Sequence, residues 1–314
     1  MIWGIIIGVI VVVLLLLSGV EYGFFRYAID RYGVKEPDDE HMYMGEWKTY
    51  EPTLRAGVKW VKDQNPEEVS IVSKDGLQLK GYLLLAKHAK RTILCVHGFR
   101  GNGIKDFGAI ASFYYEQDCN LLIIDQRAHG ASEGKYITFG IKERYDVRRW
   151  IDFLNERLGE QMPIVLDGVS MGAATVLMAS GLDLPSNVQG IIADCGFTSP
   201  RAIYTHVAKE YYHLPAWPLI PIFGLLCRFV AGFSMDEMST KEALAKNTRP
   251  ILFVHGSVDR FVPTYMSQEN YSYCKAEKYI AIVPKAGHGL SYLVEMEACQ
   301  EKIKAFFDIL SGTA

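Results

Sequence analysis

Gly168-Val169-Ser170-Met171-Gly172 joins an apolar run ending in Leu166-Asp167 to a small-residue run opening at Ala173. A serine on a sharp strand-to-helix turn takes strained backbone angles. The residues two before and two after it come too close to neighbouring backbone for side chains, and Gly168 and Gly172 meet that demand. A hydroxyl at its free pKa is a weak nucleophile, so a base and an orienting acid are needed, expected in the chain order Ser, Asp, His. Asp259 lies in Phe253-Val254-His255-Gly256-Ser257-Val258-Asp259-Arg260-Phe261-Val262-Pro263, a few residues past the end of an apolar run. His288 lies in Val283-Pro284-Lys285-Ala286-Gly287-His288-Gly289, just past the next. The expected roles are nucleophile for Ser170, general base and acid for His288, and orienting carboxylate for Asp259.

Other residues compete for these roles. His97 and His255 precede a turn glycine, a position suited to propping a loop. His129 lies upstream of the serine, in the wrong order, and Asp194 is the alternative acid because it too ends an apolar run. An oxyanion formed at the attacked carbonyl needs preorganised donors. The Met171 amide, opening the helix after the serine, is one candidate. The loop His97-Gly98-Phe99-Arg100-Gly101-Asn102-Gly103 is glycine-rich enough to supply the other from Phe99, with Gly98 giving the turn its freedom. No Gly-Lys-Ser/Thr follows that loop and no G-x-G-x-x-G spacing occurs, so a nucleotide site is disfavoured. Nor does an HExxH or carboxylate–histidine cluster suggest a metal, and no cofactor is expected.

These loops require strands and helices in a set order. Strands are expected at Thr92–Val96, Leu121–Ile124, Ile164–Leu166, Val188–Ala193, Ile251–Val254 and Tyr279–Val283. Helices are expected at Phe107–Gln117, Ile141–Leu158, Ala173–Ser180, Tyr265–Lys275 and Leu293–Leu310. Strands apolar throughout and joined by helices predict a doubly wound, mostly parallel α/β sheet covered on both faces. Lys74-Asp75-Gly76, between Val69–Val72 and Leu77–Leu84, marks an antiparallel hairpin at its entrance. Residues 200–247 break the alternation with Tyr, Trp, Pro and Leu and are read as a short helical cap over the carboxyl edge of the sheet.

From Ile2 to Val20 the chain carries no charge and, as a helix, is long enough to cross roughly 30 Å of hydrocarbon. No Lys or Arg precedes the run and no A-x-A-like site follows it, so residues 1–25 are read as an uncleaved single-pass transmembrane anchor. Arg26, Arg31 and Lys35, beside Tyr22, Phe24, Phe25 and Tyr27, resemble a positive flank with an interfacial aromatic belt, which would place the large domain on the cytoplasmic side. Residues 26–67, broken by Pro37, Pro52 and Pro66, read as a linker with one short helix near Leu54–Lys62. The remainder, residues 68–314, is then one domain. The 33 basic and 36 acidic residues form no long same-sign block, which disfavours a nucleic-acid partner. Six scattered cysteines without a CxxC pair read as buried free thiols.

With His97-Gly98, Asp125-x-Arg127-x-His129-Gly130-x-Ser132-x-Gly134, Gly168-x-Ser170-x-Gly172, Asp194-x-Gly196-Phe197-Thr198-Ser199 and His255-Gly256-x-x-Asp259-x-x-Val262-Pro263, the chain resembles the α/β-hydrolase superfamily from about residue 68 onward. Within it the motifs are similar to the bacterial membrane-anchored serine hydrolases of the Bem46-like group, with prolyl-oligopeptidase-related peptidases as more distant kin. The resemblance implies the α/β-hydrolase fold and hydrolysis of a carboxyl ester, or a related acyl bond, of a small-molecule acyl substrate through an acyl-enzyme. A peptidase, amidase or thioesterase on the same site is the alternative, followed by a non-catalytic binding protein on the same scaffold. Gln126 and Ala128 depart from the Asp-x-Arg-Gly-His-Gly loop common in such proteins and leave the three central residues untouched. The apolar cap residues Trp217, Leu219, Ile220 and Phe223 favour a hydrophobic acyl group as much as they favour simple packing.

Overall fold

The computed structural model describes Trp3, Gly8, residues 19–33 and residues 45–312. Most of the apolar run at residues 2–20 therefore lies outside the described residues. Among the described residues, no helix is long and apolar enough to cross a membrane.

Eight strands form one sheet: β1 (Glu67–Val72), β2 (Gln78–Leu84), β3 (Arg91–Val96), β4 (Cys119–Ile124), β5 (Ile164–Val169), β6 (Val188–Asp194), β7 (Ile251–Gly256) and β8 (Lys278–Val283). Their order is β1-β2-β4-β3-β5-β6-β7-β8, with β2 antiparallel to β1 and β4 and every other pair parallel. The central strands β3, β4 and β7 are buried at every position, which is why they read as unbroken apolar runs. At the far edge β8 is buried only at Val283, because an edge strand is less covered. The strand order reverses around β3, so the loops leaving β3 and β5 open side by side, where ligands enter doubly wound sheets.

Helices α3 (Gly103–Glu116), α4 (Glu143–Leu158), α5 (Met171–Ala179), α9 (Tyr265–Tyr273) and α11 (Met296–Ser311) cover the sheet. The expected final helix over Leu293–Leu310 is two, α10 (Ser291–Val294) and α11, parted by non-helical Glu295 (φ −131°, ψ 63°). Between β6 and β7 stand α6 (Pro200–Glu210), α7 (Ala216–Phe229) and the short α8 (Thr240–Leu244). The Tyr- and Pro-rich stretch at 211–221 interrupts them as its composition requires: α6 stops at Glu210, and Trp217 is non-helical within α7 (φ −106°, ψ 132°). All six cysteines are buried and unpaired.

Where described, the amino-terminal segment read as anchor flank and linker packs on this body. Residues 19–28 are helical, here α1, and Phe25 and Ile29 are fully buried in a cluster with Ile137, Ile220 and Phe223. The Ile29 carbonyl accepts from the Ile137 amide at 2.8 Å, and the Arg31 amide donates to the Lys135 carbonyl at 2.9 Å. Arg26 pairs with Asp30 at 3.0 Å, and the Arg31 guanidinium donates to the carbonyls of Gly130 and Ser132. Arg31, expected to flank a bilayer, thus seats the chain on the domain. Helix α2 (Glu51–Asp63), somewhat longer than the expected Leu54–Lys62, packs on α3, burying Leu54 and Val61.

Candidate active site

Strand β5 ends at Val169 and α5 begins at Met171, leaving Ser170 alone at the turn with φ 55° and ψ −113°. Non-glycine residues adopt such angles at a cost of about 1–3 kcal/mol, sustained by the packing around them. That packing is backbone against backbone. A Cβ on Gly172 would lie 1.9 Å from the Val96 carbonyl oxygen, and one on Gly168 would lie 2.4 Å from Gly172 itself. The Ser170 amide donates to the Asp194 carbonyl at 2.8 Å, fixing the turn to β6.

Three residues far apart in sequence meet at this turn. His288 Nε2 lies 2.9 Å from Ser170 Oγ, and His288 Nδ1 lies 2.7 Å from Asp259 Oδ2. Because the carboxylate can only accept, Nδ1 carries the ring proton and Nε2 is left to accept from the serine hydroxyl. Oδ1 of Asp259 accepts from the amides of Phe261 and Val262, each at 2.9 Å. His255, read from sequence as a loop prop, donates from Nε2 to the Val262 carbonyl at 2.8 Å and approaches Asp259 Oδ2 at 3.2 Å. Its Nδ1 faces Ser267 Oγ at 2.6 Å. Burial alone would raise the Asp259 carboxyl, but hydrogen bonds from His255 and His288 and their charges outweigh it and hold the group well below the usual carboxylate range.

The alternatives stand elsewhere. Asp194 accepts from Ser291 Oγ at 3.1 Å, and its burial pushes the carboxyl up to about 6. His97 is fully buried, with Nε2 accepting from the Gln126 amide at 2.9 Å. The Gln126 side chain donates in turn to the His97 carbonyl at 2.6 Å. The unusual glutamine thus clamps the loop after β3 to the loop after β4. His129 Nε2 accepts from the Arg100 amide at 3.1 Å. Gly98 donates its amide to Asp106 Oδ2 at 2.7 Å, which steadies the loop carrying Phe99.

Phe99, Ser170 and Met171 line one cavity of about 150 Å³. Apart from Glu21 and Ser170, every side chain on its walls is apolar or aromatic. Phe261 both lines it and packs on the His288 ring, centroids 5.0 Å apart. A metal is poorly served here. Among the described residues only Cys195, Asp259 and His288 bring three donor types within 4.8 Å, and burial pushes the Cys195 thiol well above its usual value, away from the thiolate a metal binds.

One contributor escaped the sequence reading. A turn of 3-10 helix at Gly45–Tyr50 lies against the His288 loop. A Cβ on Gly289 would meet the Trp47 ring at 2.8 Å, and one on Gly287 would meet the Glu46 carboxylate at 2.1 Å. The glycines flanking His288 were the available signal, since a bare backbone on both sides of a functional residue invites a neighbour to seat there.

Residues 91–218 match a family model described as the alpha/beta hydrolase fold. The chain is 28% identical over 243 residues to the Bacillus subtilis protein YqkD, covering 77% of this chain and 79% of that one. Among solved structures it is similar to the Pyrococcus furiosus esterase Pf2001, with a TM-score of 0.63 at 22% identity over 85% of this chain and 95% of that one. It is also similar to Est1E of Butyrivibrio proteoclasticus, solved with ferulic acid, with a TM-score of 0.60 at 20% identity over 78% and 99% of the two chains. The fold is that of the alpha/beta hydrolases.

Proposed function

We propose that the protein is a serine hydrolase that cleaves a carboxyl ester through an acyl-enzyme on Ser170. The observation that carries this reading is the unbroken contact Asp259–His288–Ser170 on a strained turn that opens into an apolar cavity. Esterases among the fold's structural neighbours support hydrolysis as the chemistry. The motifs quoted above favour the Bem46-like branch.

In this reading Ser170 Oγ attacks the ester carbonyl while its proton passes to His288 Nε2, and Asp259 stabilises the imidazolium. The amides of Met171 and Phe99 receive the oxyanion, the first aided by the amino end of α5. Collapse of the tetrahedral species breaks the bond to the alcohol, which leaves with the proton from His288. Water then attacks the acyl-serine, again giving a proton to His288, and the carboxylic acid departs as Ser170 recovers its hydrogen. The apolar run at 2–20 would hold the enzyme on a membrane as a single-pass anchor.

Wild-type protein tested on p-nitrophenyl esters beside aminoacyl amides checks the assignment. Ester turnover well above amide turnover is expected, and turnover of amides alone would reassign the enzyme as a peptidase or amidase.

A further inference from the structure

The cavity over Ser170 has a wall that does not come from the hydrolase body. Glu21, Phe24, Tyr27 and Ala28 of α1 line it, facing Tyr204, Leu219 and Phe223 from α6 and α7. The spacing 21, 24, 28 puts these residues on one face of the helix. That face is held in place rather than resting loosely. Phe25 is 1% exposed and Ile29 0%, the Phe24 ring meets Tyr212 edge-on with centroids 5.2 Å apart, and Phe25 lies 6.3 Å from Phe223. Arg100, next to the candidate oxyanion residue Phe99, donates to the Tyr27 carbonyl and, at 3.0 Å, to the Asp30 carbonyl. The loop that would hold the oxyanion and the helix that closes the cavity are thereby tied together.

We infer that α1 is a fixed wall of the acyl pocket and that Phe24 and Ala28 determine the length of acyl chain admitted, the substrate being an ester of an uncharged aliphatic acyl group of medium length. This rests on the serine-hydrolase reading above. The cavity's largely apolar walls offer an acyl chain dispersion contacts and the release of water, with Tyr27, Tyr204, Tyr211 and Tyr212 as the uncharged polar residues among them. Glu21 is the single acidic side chain on the lining. Phe24 stands four residues beyond the apolar run that ends at Val20, roughly 6 Å of helical rise. The pocket wall is thus the direct continuation of that run.

The test uses the full chain in detergent micelles and the ratio of kcat/KM between p-nitrophenyl octanoate and acetate. Ala28→Trp fills the cavity from the helix side and should lower that ratio at least about tenfold, the scale set by a few methylenes that no longer fit. Phe24→Ala, which cannot overpack, should raise the dodecanoate-to-octanoate ratio severalfold. If Ala28→Trp fails to fold, judged by its circular dichroism melt, Phe24→Ala decides alone. Wild-type ratios in the folded variants would overturn the inference while leaving the hydrolase reading intact. Failure of the wild type to hydrolyse any of the three esters would overturn both.

Discussion

At the scale of single residues, Asp259 shows how the site is prepared. Its four contacts, two backbone amides and two imidazoles, keep the carboxylate ionised. Its folded value is depressed, so the stability it contributes is present above the ordinary carboxylate range and is lost only as pH falls through that depressed value. Loss of activity at mildly acid pH should therefore not come from protonation of Asp259. Ser170→Ala should lower kcat by at least about 10³-fold with the fold intact, and His288→Ala by nearly as much, as measured by ester turnover and thermal melts. Asp167 behaves in the opposite sense. It is buried beneath Tyr114, whose hydroxyl donates to it at 2.6 Å, and burial pushes its carboxyl up to about 7. Its neutral form suits the fold, so its contribution is full at low pH and is lost as pH rises toward 7. Asp167→Asn should gain stability relative to wild type between pH 4.5 and 8 by on the order of 2 kcal/mol in urea titrations. An unrelaxed shift of that size would give about 4. A pH-independent difference would show that the carboxyl titrates normally. Turn chemistry and chain order single out Ser170, Asp259 and His288 in the sequence, and the fold brings the His288 side chain within hydrogen-bonding distance of the other two. The second imidazole on Asp259 was not legible there, because only the folded loop at 255–262 brings it to the carboxylate.

Among the elements, strands were read more securely than the amino-terminal segment. Runs such as Leu121–Ile124 and Ile251–Val254 are apolar on both faces because both faces are covered, and few other structures produce that pattern. Phe24, Phe25 and Tyr27 are a different case. An aromatic belt at a bilayer surface and an aromatic helix face docked on a protein use the same residue types, so composition alone could not separate them. The consequence is measurable. Deleting residues 1–18 keeps α1, whereas deleting residues 1–30 strips Phe25 and Ile29 from the core. Truncating one buried aromatic typically costs about 3 kcal/mol or more. The longer deletion should therefore melt roughly 10 °C or more below the shorter one and lose most ester turnover. Equal melting and equal activity would show that α1 is dispensable. The glycines of the elbow make a second demand at this scale. Gly172→Ala should abolish activity and lower stability, because its methyl would occupy the place of the Val96 carbonyl oxygen.

For the whole molecule, α1 follows the apolar run in sequence and lines the cavity over Ser170. The full chain is expected to remain with membranes through carbonate washing, since inserted apolar helix resists conditions that release electrostatic adsorption. Recovery of the full chain in the wash would remove the anchor from the account without touching the site. Of the charges read as a positive flank, Arg31 is engaged with the Gly130 and Ser132 carbonyls of the domain, and Arg26 pairs with Asp30 of its own segment. The central claim concerns Ser170, and it is tested most directly by exposing the full chain to a fluorophosphonate, digesting it and locating the adduct by mass spectrometry. The account predicts about one equivalent of label, on the peptide containing Ser170, and its loss in the His288→Ala variant. Label on another residue, or none on a folded wild-type protein, would contradict it.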